Sequence, residues 1–138
     1  MPAQIVVVPK PAAAADWAYT IPTTYGSGVI LISVSALFTT SGTVANRIPN
    51  LTLLNGPSGA GTILSAGIAG ALTATQSARY LWGMGLPALA APVNSATTPS
   101  TFPVPQGIMV PPGGIIASIT AAIAAGDQWS DIVLVLAQ

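Results

Sequence analysis

The sequence predicts an all-β chain, an antiparallel two-sheet sandwich of jelly-roll-like form with an extended N-terminal arm. Three observations carry that expectation. Residues 30–38 and 80–86 alternate with the period of two that marks a strand with two unlike faces. The final apolar run, Ile132-Val133-Leu134-Val135-Leu136, follows a tight polar turn, Gly126-Asp127-Gln128-Trp129-Ser130. Between these lie further short strand candidates separated by loops rich in glycine and proline, without an internal repeat.

Residues 1–27 read as the arm and residues 28–138 as the sandwich. Pro2, Pro9, Pro11 and Pro22 remove amide donors, so neither a helix nor a central strand runs through them. Ile5, Val6, Val7 and Val8 form a β-branched run isolated by these prolines. Such a run adds to a sheet, either its own or a neighbour's. With Trp17 these four residues are the expected contacts with a partner subunit.

Residues 29–39 are the clearest strand, with Ile30, Ile32, Val34, Ala36 and Phe38 on one face and Ser33 and Ser35 interrupting the other. Ser41-Gly42 turns the chain into a second strand at 47–54, which Pro49 marks as an edge or bulged strand. A third strand lies within 71–86, where Tyr80, Trp82, Met84 and Leu86 alternate with Arg79, Leu81, Gly83 and Gly85. Residues 88–101 read as a loop, and 102–110 as a short edge strand broken by Pro103 and Pro105. Residues 115–125 have two periodicities, since Ile115, Ile119 and Ile123 suit one face of a helix or of a strand. The strand at 131–137 behind its tight turn favours a second strand, paired antiparallel to it.

Charge bounds the function. The 138 residues carry only Lys10, Arg47, Arg79, Asp16, Asp127 and Asp131, or 4% of the chain, against about 25% in an ordinary domain. A folded monomer of this mass exposes about 6,600 Å², too much for six charges to wet, so most of the surface is expected to be covered by other protein. No apolar stretch suits a bilayer span of about 20 residues. The single lysine of residues 1–15 follows the apolar run, unlike a signal peptide. Three scattered basic residues at zero net charge do not track a phosphate backbone. Neither a membrane nor nucleic acid is therefore an expected partner. Histidine and cysteine are absent, which removes the commonest general base, the thiol nucleophiles and the usual soft metal ligands. No catalytic residue, metal site or cofactor is expected, and the chain is not expected to be an enzyme.

Several local patterns have plain readings. Gly56-Pro57-Ser58-Gly59-Ala60-Gly61-Thr62 resembles the start of a phosphate-binding loop, but Thr62 stands where its lysine belongs, so the segment is a loop. Asp127 and Asp131 are turn-capping residues rather than a calcium site or an acid–base pair, since no further carboxylate lies near them in sequence. Arg47 and Arg79 can each pair with an aspartate, reach across an interface or stay in solvent. Trp17, Trp82 and Trp129 suit core or interface packing, with an exposed carbohydrate platform as the alternative.

Val110-Pro111-Pro112-Gly113-Gly114, an alternating strand, then Gly126-Asp127-Gln128-Trp129-Ser130-Asp131 and a final apolar strand resemble small jelly-roll virion proteins of tailed bacteriophages, in particular capsid decoration (cement) proteins. Arg47-Ile48-Pro49-Asn50-Leu51 fits the second strand of such proteins. The resemblance covers residues 28–138 and brings no catalytic residues with it. It implies a head-bound homo-oligomer, for which a trimer is expected, clamping the major capsid protein or other virion subunits. A tail or head-fibre base protein is the alternative within virions, and a carbohydrate-binding β-sandwich module the alternative outside them.

Overall fold

The computed structural model describes residues 4–57, 61–67, 70–89 and 94–138. The strands are β1 (Ile5–Lys10), β2 (Ala18–Thr20), β3 (Val29–Thr39), β4 (Ile48–Leu54), β5 (Thr62–Ala66), β6 (Ser77–Gly83), β7 (Ser95–Pro103), β8 (Met109–Val110), β9 (Ile115–Ala121) and β10 (Gln128–Ala137). A short 3₁₀ turn covers Thr23–Tyr25. One sheet has six strands in the order β1-β10-β3-β6-β7, with β8 also pairing β3. The second has four, in the order β2-β9-β4-β5. The two sheets close on one core, as in the expected sandwich. All pairs are antiparallel except β6–β7, and that parallel edge departs from the antiparallel pattern of a jelly roll.

Within residues 4–27, β1 and β2 each add a strand to one of the two sheets. β1 pairs with β10 from Ile5↔Ala137 to Lys10↔Ile132, and β2 pairs with β9 in the other sheet. Gln4 and Gln138 exchange both amide bonds, at 3.1 and 2.9 Å. By the alternation of an antiparallel ladder, Val6, Val8 and Lys10 then bond to β10, while Ile5, Val7 and Pro9 turn their backbone to the outer edge. Proline thus occupies an edge position where no ladder donor is lost.

Strand β3 keeps its expected bounds but not its expected faces. Its pairing with β10 shifts between Val135↔Ser33 and Leu136↔Leu31, leaving Ile32 as an extra residue. Such a bulge reverses the phase of a strand. Val29 and Leu31 therefore join Val34, Ala36 and Phe38 in the core, and Ile30 and Ile32 point outward. Strand β4, expected as an edge or bulged strand, is an inner strand whose pairing with β5 shifts register between Leu53 and Leu54. Pro49 is tolerated because β5 pairs only with Leu51–Leu54, and because the Thr120 amide opposite Pro49 is turned away to Asp16. Residues 115–121 are a strand, as the following turn implied. Residues 95–101, expected as loop, belong to β7, which is held by its parallel neighbour.

The core is aromatic under the six-stranded sheet. Phe38 and Trp129 lie 4.6 Å apart between ring centroids, Tyr80 and Trp82 5.5 Å, and Trp82 and Phe102 5.6 Å. Leu51, Leu53 and Ile116 face them from the smaller sheet. Two glycines are required by close approach: a Cβ on Gly28, at φ +104°, would run into the Val110 carbonyl, and one on Gly114 would lie 2.8 Å from the Leu54 carbonyl oxygen.

Candidate interaction surface

The six charged side chains show where chemistry is and is not on offer. Arg47 and Asp127 are both fully buried. Arg47 Nε donates to Asp127 Oδ2 at 2.9 Å and its Nη2 to Oδ1 at 3.0 Å, while Nη1 donates to the Ala45 carbonyl at 3.0 Å. Asp127 also accepts the Ser41 amide at 2.8 Å and the Ala124 amide at 2.7 Å. It thereby caps its own turn, as expected, and ties the β3–β4 connection to the β9–β10 turn. Burial would raise the pKa of this carboxyl, but the hydrogen bonds from Arg47, Ser41 and Ala124 outweigh burial and hold it at about 2.

Asp16, which the sequence pattern does not single out, ties the segment before β2 to two strands, β9 and β10. Its carboxylate accepts Ser118 Oγ at 2.9 Å, Thr120 Oγ1 at 2.6 Å, the Thr120 amide at 2.8 Å and Trp129 Nε1 at 3.3 Å. The signal that hides here is the pair of inward hydroxyls on β9, Ser118 and Thr120, both buried and both needing a partner. Lys10 reaches over the rim of the sandwich to lie 6.0 Å from the Tyr19 ring centroid. Burial, with a hydrogen bond to Tyr25, pushes the Tyr19 hydroxyl up to about 12. Arg79 and Asp131 pair at the surface, at 3.1 Å, with side chains 24% and 66% exposed. Asp127 and Asp131 therefore serve different partners. Among the described residues, no group of three His, Cys, Asp or Glu residues gathers to hold a metal ion.

The expected partner contacts separate into two groups. Trp17 is buried in the chain's own core, and Val8 packs against that core. Ile5 and Val7 instead stand 56% and 60% exposed on the outer face of the six-stranded sheet. The register arranges that face in rows across the strands. Ile5, Ala137, Ile30 and Met109 form the first, and Val7, Val135 and Ser33 the next. Pro9, Val133, Ser35 and Leu81 form the third. Leu37 and Arg79 close the far end, beside Asp131. The face is thus apolar or small along most of its length, with one ion pair at one end.

The smaller sheet presents a more mixed outer face. Ile119 and Ile48 are 51% and 38% exposed there, but Asn50 donates to Ser65 Oγ between them. On the side opposite β1 and β2, a cleft of about 530 Å³ lies between β5 and β7, lined by Leu64, Ala66, Leu89, Phe102 and Pro105 among others. Trp17, Trp82 and Trp129 are all buried, which removes the tryptophan platform that carbohydrate binding was expected to need. The loop resembling a phosphate site leads into strand β5 instead of a helix; residues 58–60 of it lie outside the described residues. Among the described residues, no helix is long and apolar enough to cross a membrane. No family model matches the sequence, and neither a curated protein nor a solved structure matches it.

Proposed function

We propose that this chain is a structural virion protein, a decoration or cement protein of a bacteriophage head that covers junctions between shell subunits and catalyses no reaction. The observation that carries this reading is the disposition of charge. Four of the six charged side chains are engaged by the chain itself: Arg47 and Asp127 are buried on one another, Asp16 is held by β9 and β10, and Lys10 lies over the Tyr19 ring at the rim. What remains outside is a surface of aliphatic, threonine and serine side chains with one ion pair. Such a surface is unusual for a free monomer and suits a subunit that spends its life packed against others. The resemblance of residues 28–138 to phage decoration proteins points the same way, to the major capsid protein or another virion subunit as partner.

The test is made on intact particles of the virus that encodes the chain. Density-gradient heads are expected to carry it in a fixed ratio to the major shell protein, and heads lacking it are expected to open at lower temperature. Recovery of the chain only in the free-protein fractions would overturn the reading.

A further inference from the structure

We propose that the outer face of the six-stranded sheet pairs with the same face of a second copy of this chain, about a twofold axis running along β3. The pairing follows from the face itself and stands whether or not the virion reading holds.

The geometry is set by strand order. β3 is the middle strand of β1-β10-β3-β6-β7. A twofold axis parallel to β3 in the plane of contact therefore lays β10 over the second copy's β6, and β1 over its β7. Arg79 on β6 and Asp131 on β10 flank β3 at the same end of the face, since Leu37 pairs with both Arg79 and Ser130. The axis then sets Asp131 of one copy opposite Arg79 of the other, twice. Four charges alternate in sign and no like charges meet. Among the described residues no other charged side chain stands on this face: Lys10 turns to Tyr19 at the rim, Arg47 and Asp127 are buried on one another, and Asp16 is held by β9.

Shape and area agree. Ser33 and Ser35 lie at the centre of the axis, between Ile30 and Ile32 at one end and Leu37 at the other, with Val133, Val135 and Leu81 beside them, an apolar face with a small-residue centre that suits sheets about 10 Å apart. Five strands about 4.8 Å apart, with about seven residues each at about 3.4 Å, make a face of about 24 by 24 Å. Counting both copies, about 1,150 Å² leaves water, just above the size at which a specific interface becomes credible. Association through the sheet edge is the less suitable route, because Pro9 offers no donor at the outer edge of β1.

Sedimentation equilibrium and native mass spectrometry of the full chain are expected to give twice 13.7 kDa. Val135→Lys, at the middle of the face, is expected to give a monomer with unchanged circular dichroism. Arg79→Glu and Asp131→Lys are each expected to weaken self-pairing about tenfold, because like charges then face each other. Mixed in equal amounts, these two variants are expected to form a mixed dimer. Should Asp131→Lys fail to fold at its positive φ, Arg79→Glu decides alone: its dimer is expected to recover at high salt. A monomeric or trimeric wild-type chain, a dimer indifferent to Val135→Lys, folded charge variants that do not pair, or an Arg79→Glu dimer that salt does not restore would overturn the proposal.

Discussion

At the scale of residues, the buried ion pair dominates. Removing one partner strands a charge in the core, so Asp127→Ala is expected to cost about 3–5 kcal/mol in denaturant unfolding. Arg79→Ala breaks an exposed pair and is expected to cost about 1 kcal/mol or less. The pH dependence follows from the same carboxylate. Its folded pKa is about 2 against an ordinary 3.8, so between those values the unfolded chain binds more protons. The stabilisation is complete above pH 3.8, and is expected to fade as pH falls toward 2 in thermal melts. The three tryptophans are not equivalent either. Trp82 and Trp129 donate to Ala66 and Asp16, whereas the buried Trp17 Nε1 finds no acceptor among the described residues. Trp17→Phe is therefore expected to cost less than Trp129→Phe, which leaves Asp16 short of a donor. Ala122 holds φ +56° in the β9–β10 turn, so Ala122→Gly is expected to gain up to about 1 kcal/mol, read as a rise in melting temperature.

At the scale of elements, what the sequence disclosed was what alternation can disclose. Residues 29–39, 77–83 and 131–137 carry enough apolar period-two signal to be seen as strands without knowing their neighbours, whereas Gln128, Trp129 and Ser130, expected in a turn, already belong to β10. The face of β3 was hidden because a bulge belongs to a pair of strands and leaves no mark on one. Strand β7, with serine, threonine and proline through most of its length, has no face of its own to show and exists by pairing to β6. β1 was visible as a strand, but its partner was not, since Ile5 meets Ala137 across nearly the whole chain. Deleting residues 1–10 is expected to lower stability by about 2 kcal/mol or more through lost cover from Val6 and Val8. It also bares the β10 edge, so light scattering during the melt is expected to rise.

At the scale of the whole molecule, alternation and turn residues disclosed the sandwich and composition the scarcity of charge, while the candidate surface came into view only with the register. Ile5 and Val7 were singled out beforehand, but Val133, Val135, Ile30 and Met109 join them only through pairing. The chain has no histidine or cysteine to titrate near neutrality, so a broad plateau of stability is expected. Its alkaline limit is set by Tyr19 and Tyr80, whose hydroxyls burial holds well above their ordinary 10; for Tyr19, at about 12 when folded, stability is lost from pH 10 upward as the pH rises through 12. The position of β10 has a further meaning. It is synthesised after every other strand described, yet it lies second in the larger sheet, with β1 on one side and β3 on the other. On the ribosome, β1 has no ladder partner and β3 lacks one of its own until residues 128–137 have emerged. Until then the nascent chain stays unclosed and exposes Ile5-Val6-Val7-Val8, and the closing step, which joins distant segments, is slow. A chain ending before residue 128 is expected to aggregate or to be held by chaperones rather than form a partial sandwich, as read by its solubility in a cell-free translation.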